Sequence, residues 1–441
     1  MKITTLIPDT EGEVAWPPYG TERKSVVAVG NFDGVHRGHQ AVLARTVEIA
    51  RSIGGTSVAI LFDPRPEVVF AYAKAHGGET PSDPDAYRDP AALTGIAHRL
   101  ALIERAGIDH AMVIRYDLKF AAKSYQYFLG QLVGKVGLHT LVLGTDARMG
   151  RDAAGDVKAI DAVAQATRMF ELEVVDDRGP GNTRVPAAAA GGRQIDDIAA
   201  DDPVLAEKIR AFGQLTDPAL TKAQKRAISK SLPSRPVRLW SSTYVRFLLA
   251  LGRCEQAAEI LGRPHSVAGT VVHGEERGRT LGFPTANLGE DVEGYVPADG
   301  VYAGWLIDEG PAQDAAEHRT DPPAKGTVNT DAVADAPGEG GEAAGEGGEA
   351  QPRPAYRQRR WPTAISIGTK ETFQVQTGLK ERVLEANALV DDGEWIDLYG
   401  HRVRVEFVAF LRAQVRFDSA DALVAELHRN VEQTKEICAK G

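Results

Sequence analysis

Three features of the sequence predict an α/β Rossmann-like domain followed by a small β-barrel domain. Short aliphatic or β-branched runs alternate with amphipathic helical stretches through the first half, the pattern of a doubly wound parallel sheet. Past Gly262-Arg263-Pro264 the texture changes to closely spaced short strands with Gly, Pro and Asn turns, the pattern of a small barrel. The chain's 441 residues exceed one ordinary domain, and the change of texture sets the division at 1–262 and 263–441.

In the first part, Val26 to Val29, Ser57 to Phe62, His110 to Ile114, Thr140 to Leu143 and Glu171 to Val175 read as strands. Gln40 to Ile53, Ile96 to Ala106 and Ser124 to Leu132 read as helices. In such a sheet, ligands sit beyond the carboxyl ends of the strands. From about 178 to 236 the pattern breaks into Gly-Pro-Gly-Asn, an alanine run and acidic pairs, with helical character around Pro203 to Phe212. This segment is expected to be an insertion, partly mobile. The pattern resumes at Leu239, and Ser241-Ser242-Thr243-Tyr244-Val245-Arg246 opens a helix with a Ser or Thr N-cap.

In the second part, His265 to Val272, Gly300 to Ile307, Ala364 to Ile367, Arg382 to Val390 and Val403 to Phe410 read as strands. A low-complexity run from about 308 to 358, rich in Gly, Ala, Glu and Pro, interrupts them. That composition buries too little apolar surface to offset its ordering entropy, so disorder is expected. An amphipathic helix from about Ser419 to Cys438 ends the chain.

Composition narrows the function classes. A charged fraction of 25% with 43% apolar residues is that of a soluble globular protein. The formal charge is −10 without a basic stripe, so neither nucleic acid nor an anionic membrane is an expected partner. Cys254 and Cys438 are the two cysteines, which disfavours a disulfide framework or a zinc site and fits a reducing cytoplasm. The start, Met1 to Pro8, has no apolar core of signal-peptide length.

The chemistry concentrates in GNFDGVHRGHQ, Gly30 to Gln40, which follows the apolar run Ser25 to Val29. A buried strand, a glycine turn and two histidines at the mouth of a helix make a place to hold a phosphate chain. The free N–H groups and macrodipole of the helix favour negative charge there. Gly34 and Gly38 allow close backbone approach, and His36 and His39 can donate hydrogen bonds to phosphoryl oxygens. No Gly-Lys-Ser/Thr follows, and the glycine spacing is not that of a dinucleotide fingerprint. His-x-Gly-His resembles the signature of nucleotidylyltransferases.

Further motifs extend the resemblance. They are FDPRPEVV from Phe62, LGTDARMGR from Leu143, SSTYVR from Ser241, GRPHSVAGTVVHGEERGRTLGFPTANL from Gly262 and PADGVYAG from Pro297. ISIGTKETF from Ile365, LEANALV from Leu384 and DLYGHRVRVEFVAFLR from Asp397 complete the set. In content and order they resemble the bacterial bifunctional riboflavin kinase / FMN adenylyltransferase family. The resemblance implies a Rossmann-like nucleotidylyltransferase domain and a six-stranded flavokinase barrel. It also implies two reactions, riboflavin plus ATP giving FMN and ADP, then FMN plus ATP giving FAD and pyrophosphate, both supported by Mg²⁺.

The resemblance assigns roles to individual residues. His36 and His39 would hold the ATP phosphates, with Asn31 and Asp33 shaping the turn; for Asp33 an Asx-turn role and a ligand contact both stay open. Arg246 matches the family's arginine for the β- and γ-phosphates, beside Ser241, Ser242 and Thr243. Asp146, Met149 and Arg151 stand in the flavin loop, where Ala147 and Met149 replace the usual aromatics, and Arg65 stands where a histidine is common.

On the kinase side, Glu385 matches the catalytic glutamate, and Thr285 and Asn287 match a Pro-Thr-x-Asn motif whose oxygens suit Mg²⁺. His273, Gly274, Arg277 and Arg279 would form a flap over the nucleotide phosphates, and Phe373 would contact flavin. Lys370-Glu371 replaces the family's usual Asn-Pro. That departure leaves two alternatives to the bifunctional enzyme: a chain keeping the adenylyltransferase alone, and a flavin-binding regulator without turnover.

Overall fold

The computed structural model describes residues 1–17, 24–81, 83, 86–217, 219–273, 285–312, 358–370, 381–390 and 396–440. Six parallel strands form the first sheet, in the order Lys2–Leu6, His110–Ile114, Thr56–Phe62, Ser25–Val29, Leu138–Gly144 and Glu171–Val175. The strand order reverses between Ser25–Val29 and Leu138–Gly144, and a sheet of this kind opens its ligand crevice at such a reversal. All five expected strands form, and an edge strand, Lys2–Leu6, joins them. Ile3 there is half-exposed, so the edge shows only a weak apolar alternation.

The helix after the first motif strand runs Arg37–Ser52 and buries Val42, Leu43, Thr46, Val47 and Ala50. Those positions fall on one stripe of a 3.6-residue helix and cover the sheet. Each buried aliphatic side chain contributes about 1.5–3 kcal/mol relative to exposure. Gly54, with φ +60°, and Gly55 follow its C-cap and turn the chain into the next strand.

The segment expected to be an irregular insertion is folded. Asn182–Pro186 pairs antiparallel with Ser234–Arg238, and the described residues between them include helices Ile195–Asp201, Pro203–Gly213 and Lys222–Lys230. Ile195, Ile198, Ala206, Ile209 and Phe212 are buried in a core that continues through Val245, Leu248 and Ile260 into the barrel interior. The alanine run reads as featureless because small residues carry little periodicity; Ala189 and Ala190 are buried in the same core. The division set at residue 262 therefore crosses continuous packing.

The second part closes as a barrel in the order His265–Val272, Ala286–Leu288, Glu381–Ala388, Arg359–Lys370, Gly300–Pro311 and His401–Arg412, which returns to the first strand. Tyr302, Leu306, Ile365, Ile367, Leu384, Ala386, Val405 and Phe407 fill the core at alternate positions. The strand expected to end at Ile307 continues to Pro311, so Asp308 is not part of an excursion. Asp308 is buried and lies opposite Arg359 in the ladder. The rest of the low-complexity run, 313–357, lies outside the described residues. The C-terminal helix Ala420–Cys438 packs on the strands Gly300–Pro311 and Arg359–Lys370.

Candidate active sites

The first site is built at the sheet's reversal point. Leaving the strand Ser25–Val29, the chain makes a tight turn in which Phe32, Gly34 and Val35 have φ of 48°, 77° and 40°. A β-branched valine in the left-handed region is costly, and such strain persists only where surrounding contacts fix it. Gly34 is required here on two counts, since a Cβ would also lie 2.7 Å from Leu93 Cδ1. At Gly38 a Cβ would come within 2.5 Å of the Asp177 carbonyl oxygen, so the helix mouth packs directly on the loop after the last sheet strand.

Asp33 is buried among protein partners. Its Oδ1 accepts from the amides of Leu93 at 2.8 Å and Thr94 at 3.3 Å. Its Oδ2 pairs with Arg246 and lies 3.4 Å from Arg65, while Arg99 is 4.0 Å from Oδ1. A carboxylate facing a polyphosphate would repel it; here the charge gathers three guanidinium groups instead. Burial raises the Asp33 pKa, but Arg246, Arg65, Arg99 and the Leu93 amide together bring it below the ordinary 3.8. Arg65 also forks onto Asp89 at 2.6 and 2.7 Å.

His36 and His39 stack with centroids 3.7 Å apart and planes 20° from parallel. His36 is the helix N-cap, its Nδ1 accepting from the His39 amide at 3.4 Å. An accepting Nδ1 puts the proton of a neutral imidazole on Nε2, which is then a donor. Burial, then the charges of His39, Arg246, Arg263 and Arg238, hold His36 well below 6.5. Burial likewise brings His39 to about 4, against the pull of Asp33 and Asp177. His39 Nδ1 is buried without a partner among the described residues. The pair thus offers neutral hydrogen-bond donors, and the positive charge comes from the arginines.

The opposite wall comes from the chain after residue 234. Ser241 caps the helix Ser242–Ala250 by accepting from the Tyr244 amide at 3.2 Å, and Ser242 Oγ donates to the Asp33 carbonyl at 2.8 Å. Arg246, one turn inside, is buried against Asp33. Thr243 is half-buried beside them. Arg238 NH1 reaches Asp146 at 2.8 Å and Asp177 at 2.9 Å, and its NH2 donates to Thr145 Oγ1 at 2.9 Å. Desolvation raises the Asp146 carboxyl, opposed by Arg238.

Met149 packs partly buried on the sheet's core. Arg151 is exposed, 3.8 Å from Asp152. Asn31 lies 3.4 Å from both Glu67 oxygens.

The second site lies on the barrel's outer face. In the ladder, Asn287 stands opposite Glu385, and Ser366 stands opposite Glu385 on its other side. Directly paired side chains share a face about 4.5–5.5 Å apart at Cβ. Glu385 is half-buried, between the core residues Leu384 and Ala386. Asn287 Oδ1 is buried and has no partner among the described residues, an orphan acceptor that is costly unless a cation or donor reaches it. Thr285, two residues before, lines a cavity of about 40 Å³. Gln414 donates to Ser366 Oγ at 3.0 Å. His273 stacks on Tyr399 at 3.8 Å. Gly274, Arg277, Arg279 and Phe373 lie outside the described residues.

Part of the expected set comes together in two places: His36, His39, Asp33, Ser242 and Arg246 at the reversal of the sheet, and Asn287 opposite Glu385 in the barrel. Comparison with known proteins decides what such a pair belongs to. The FAD synthetase family model matches residues 20–189, and the riboflavin kinase family model matches residues 261–438. The chain belongs to the bifunctional riboflavin kinase/FMN adenylyltransferase family.

Among members of this family, the protein of that name from Listeria monocytogenes is 24% identical over 420 residues, covering 95% of this chain and 94% of the relative. The Escherichia coli K12 protein is 27% identical over 408 residues, covering 92% and 90%. The crystal structure of a macrolide-efflux protein from Streptococcus pneumoniae covers 98% of both chains at a TM-score of 0.60 and 21% identity, which shows a shared fold.

Residues 190–260 fall between the two matched stretches, yet they supply Arg238, Ser242 and Arg246 to the adenylyltransferase-like site. Sequence reading missed Arg99, Asp177 and Arg238 as parts of it. Asp177 and Arg238 sit at the two edges of the segment read as irregular, where no motif marked them. Arg65 was visible only as a departure from the family pattern; its fork onto Asp89 and its approach to Asp33 give it a structural partner there.

Proposed function

We propose that this chain phosphorylates riboflavin to FMN at the barrel site and adenylylates FMN to FAD at the sheet site. The observation that carries the reading is the pairing of Asn287 with Glu385 on one face, together with the stacked, neutral His36 and His39 at a helix mouth ringed by arginines. A regulator that only bound flavin would need neither.

In the adenylyl transfer, a phosphate oxygen of FMN attacks the α-phosphorus of ATP and pyrophosphate leaves, so the protein's task is positioning and charge stabilisation. His36 Nε2–H donates to an equatorial oxygen as charge builds there. Neutral imidazoles donate without a proton being lost to the phosphate, which keeps them effective at neutral pH. Arg246 NH1, which has no protein partner among the described residues, is available to the leaving phosphates, while Asp33 holds its NH2 and the Ala91 carbonyl accepts from its Nε.

In the kinase reaction, Glu385 takes the proton of the ribityl 5′-hydroxyl as that oxygen attacks the γ-phosphorus, the bond to the β,γ-bridging oxygen breaks and ADP leaves. Asn287 Oδ1 and the Thr285 hydroxyl are hard oxygen donors suited to Mg²⁺, and the orphaned Oδ1 fits that role. When bound, the ion would supply positive charge against the ATP phosphates.

Chromatography of products from riboflavin, ATP and Mg²⁺ tests the reading directly. Glu385→Gln should abolish FMN formation while leaving FAD formation from supplied FMN. The His36→Ala, His39→Ala double variant should do the reverse, losing about 2.7–4 kcal/mol of transition-state stabilisation per donor. Loss of both activities in either folded variant would count against separate sites.

A further inference from the structure

The turn that carries the histidines is held from the other half of the chain. Three successive carbonyls of the turn accept from side chains: Asp33 O from Ser242 Oγ at 2.8 Å, Gly34 O from Arg263 NH2 at 2.9 Å, and Val35 O from Gln40 Nε2 at 2.8 Å. The Gln40 amide also donates to Leu261 O at 2.8 Å, and Arg263 NH1 reaches the same oxygen at 3.3 Å. Arg37 Nε donates to Glu259 O at 2.6 Å. Arg263 lies within the stretch matched by the riboflavin kinase model, 261–438.

Arg263 is half-buried, an unusual setting for a guanidinium that meets only carbonyl oxygens. Its hydrogen-bond partners are carbonyl oxygens, and it makes no ion pair among the described residues. Its Nε is buried without a partner. Burial pushes its pKa down to about 10, with Arg105 and Arg404 adding to the effect against Glu406. Partly desolvating a charge without a carboxylate beside it costs free energy that an apolar side chain of the same volume would avoid. What the guanidinium does there that an apolar group cannot is to fix the Gly34 carbonyl. That carbonyl belongs to the peptide joining Gly34 to Val35, two residues before the N-cap His36, in a turn where Phe32 and Val35 are both in the left-handed region.

We propose that Arg263 is a positioning residue for FMN adenylylation, a side chain of the kinase half that locks the Gly34 carbonyl and thereby aims the His36 ring at the transferring phosphorus. The proposal rests on the reading of the sheet domain as the adenylyltransferase. It makes FAD formation depend on a residue beyond the sheet domain, while riboflavin phosphorylation does not depend on it.

The test uses the full chain carrying Arg263→Met, which keeps the aliphatic length, and Arg263→Lys, which keeps one charged donor. FAD formation from FMN and ATP, FMN formation from riboflavin and ATP, and amide hydrogen exchange over residues 33–39 are measured for each. In Arg263→Met, kcat for FAD formation should fall about 10- to 100-fold, with KM for FMN within about twofold of the unmodified chain. FMN formation should be unchanged and the turn amides should exchange faster. Arg263→Lys should recover part of the lost kcat, which a loosely structural role would not produce.

Unchanged FAD formation in Arg263→Met overturns the proposal, as does an equal fall in both reactions. If the unmodified chain forms no FAD, the adenylyltransferase reading itself fails, and this is seen before any variant is compared.

Discussion

Replacing Asp33 by asparagine should strip the sheet domain of the charge that organises its arginines. The substitution is nearly isosteric, and the amide oxygen can still accept from Leu93 N, 2.8 Å away in the native turn. It loses the ion pair with Arg246 and the approaches of Arg65 at 3.4 Å and Arg99 at 4.0 Å. Asp33 is 2% exposed and Arg246 8%, so water cannot replace the carboxylate. Removing one partner of a buried pair costs about 3–5 kcal/mol. With the amide bonds kept, the lower end of that range applies. At roughly 2–4 °C per kcal/mol for a domain of this size, the sheet domain's transition should fall by about 6–12 °C.

Calorimetry on the full chain reads this, with the barrel transition as an internal reference if the two are resolved. FAD formation should fall with it, because the freed Arg246 no longer has one orientation. The pH dependence has a matching sign. The Asp33 pKa is below 3.8 in the folded state, so its contribution is complete above that value and is lost as pH falls through the folded pKa. A sheet-domain transition within about 1 °C of the unmodified chain, with FAD formation intact, would refute the reasoning.

Two further outcomes are expected. His39, His110 and His265 are brought to about 4 and His98 to about 3, chiefly by burial. Between 6.5 and about 4 the unfolded chain therefore binds more protons than the folded one, so the melting temperature should decline steadily as pH is lowered through that window, and a flat profile would contradict the burial of these rings. Replacing residues 313–357 by a Gly/Ser link about an eighth as long should leave FMN synthesis intact, because Asp308 and Arg359 already pair across the ladder. The shorter loop lowers the closure cost by about 2 kcal/mol, so a drop of many degrees in melting temperature would mean that the segment packs on the barrel.

Much of this architecture was legible because apolar periodicity marks buried strands. Ser25–Val29 and His110–Ile114 are nearly all buried, and past the leading serine and histidine their sequences are apolar throughout. The histidine site was legible because its parts are contiguous in the chain. Its charged frame was not: Asp33, Arg65, Arg99 and Arg246 come from four separate elements, and only folding shows that one carboxylate serves three cations. The helical unit between 182 and 238 was obscured by small and acidic residues, whose burial depends on partners far along the chain. The Asn287–Glu385 pair followed from the family motif, but its cross-strand register belongs to the sheet alone.

The helix Ser242–Ala250 turns one face to each half of the molecule. Arg246 and Ser242 reach Asp33 on the sheet side, while Val245, Leu248 and Leu249 belong to the core that fills the barrel. A change on this helix is thus answerable to two reactions at once, which narrows the substitutions that selection can accept there. It also bears on how such a gene could be divided. A break at residue 262 would divide the core that Val245, Leu248 and Leu249 share with barrel residues, and a break before Ser242 would carry Arg246 away with the kinase. Fission into two working enzymes would require the helix to be duplicated, or its apolar face to be rewritten first, so inheritance as one reading frame is favoured by packing alone.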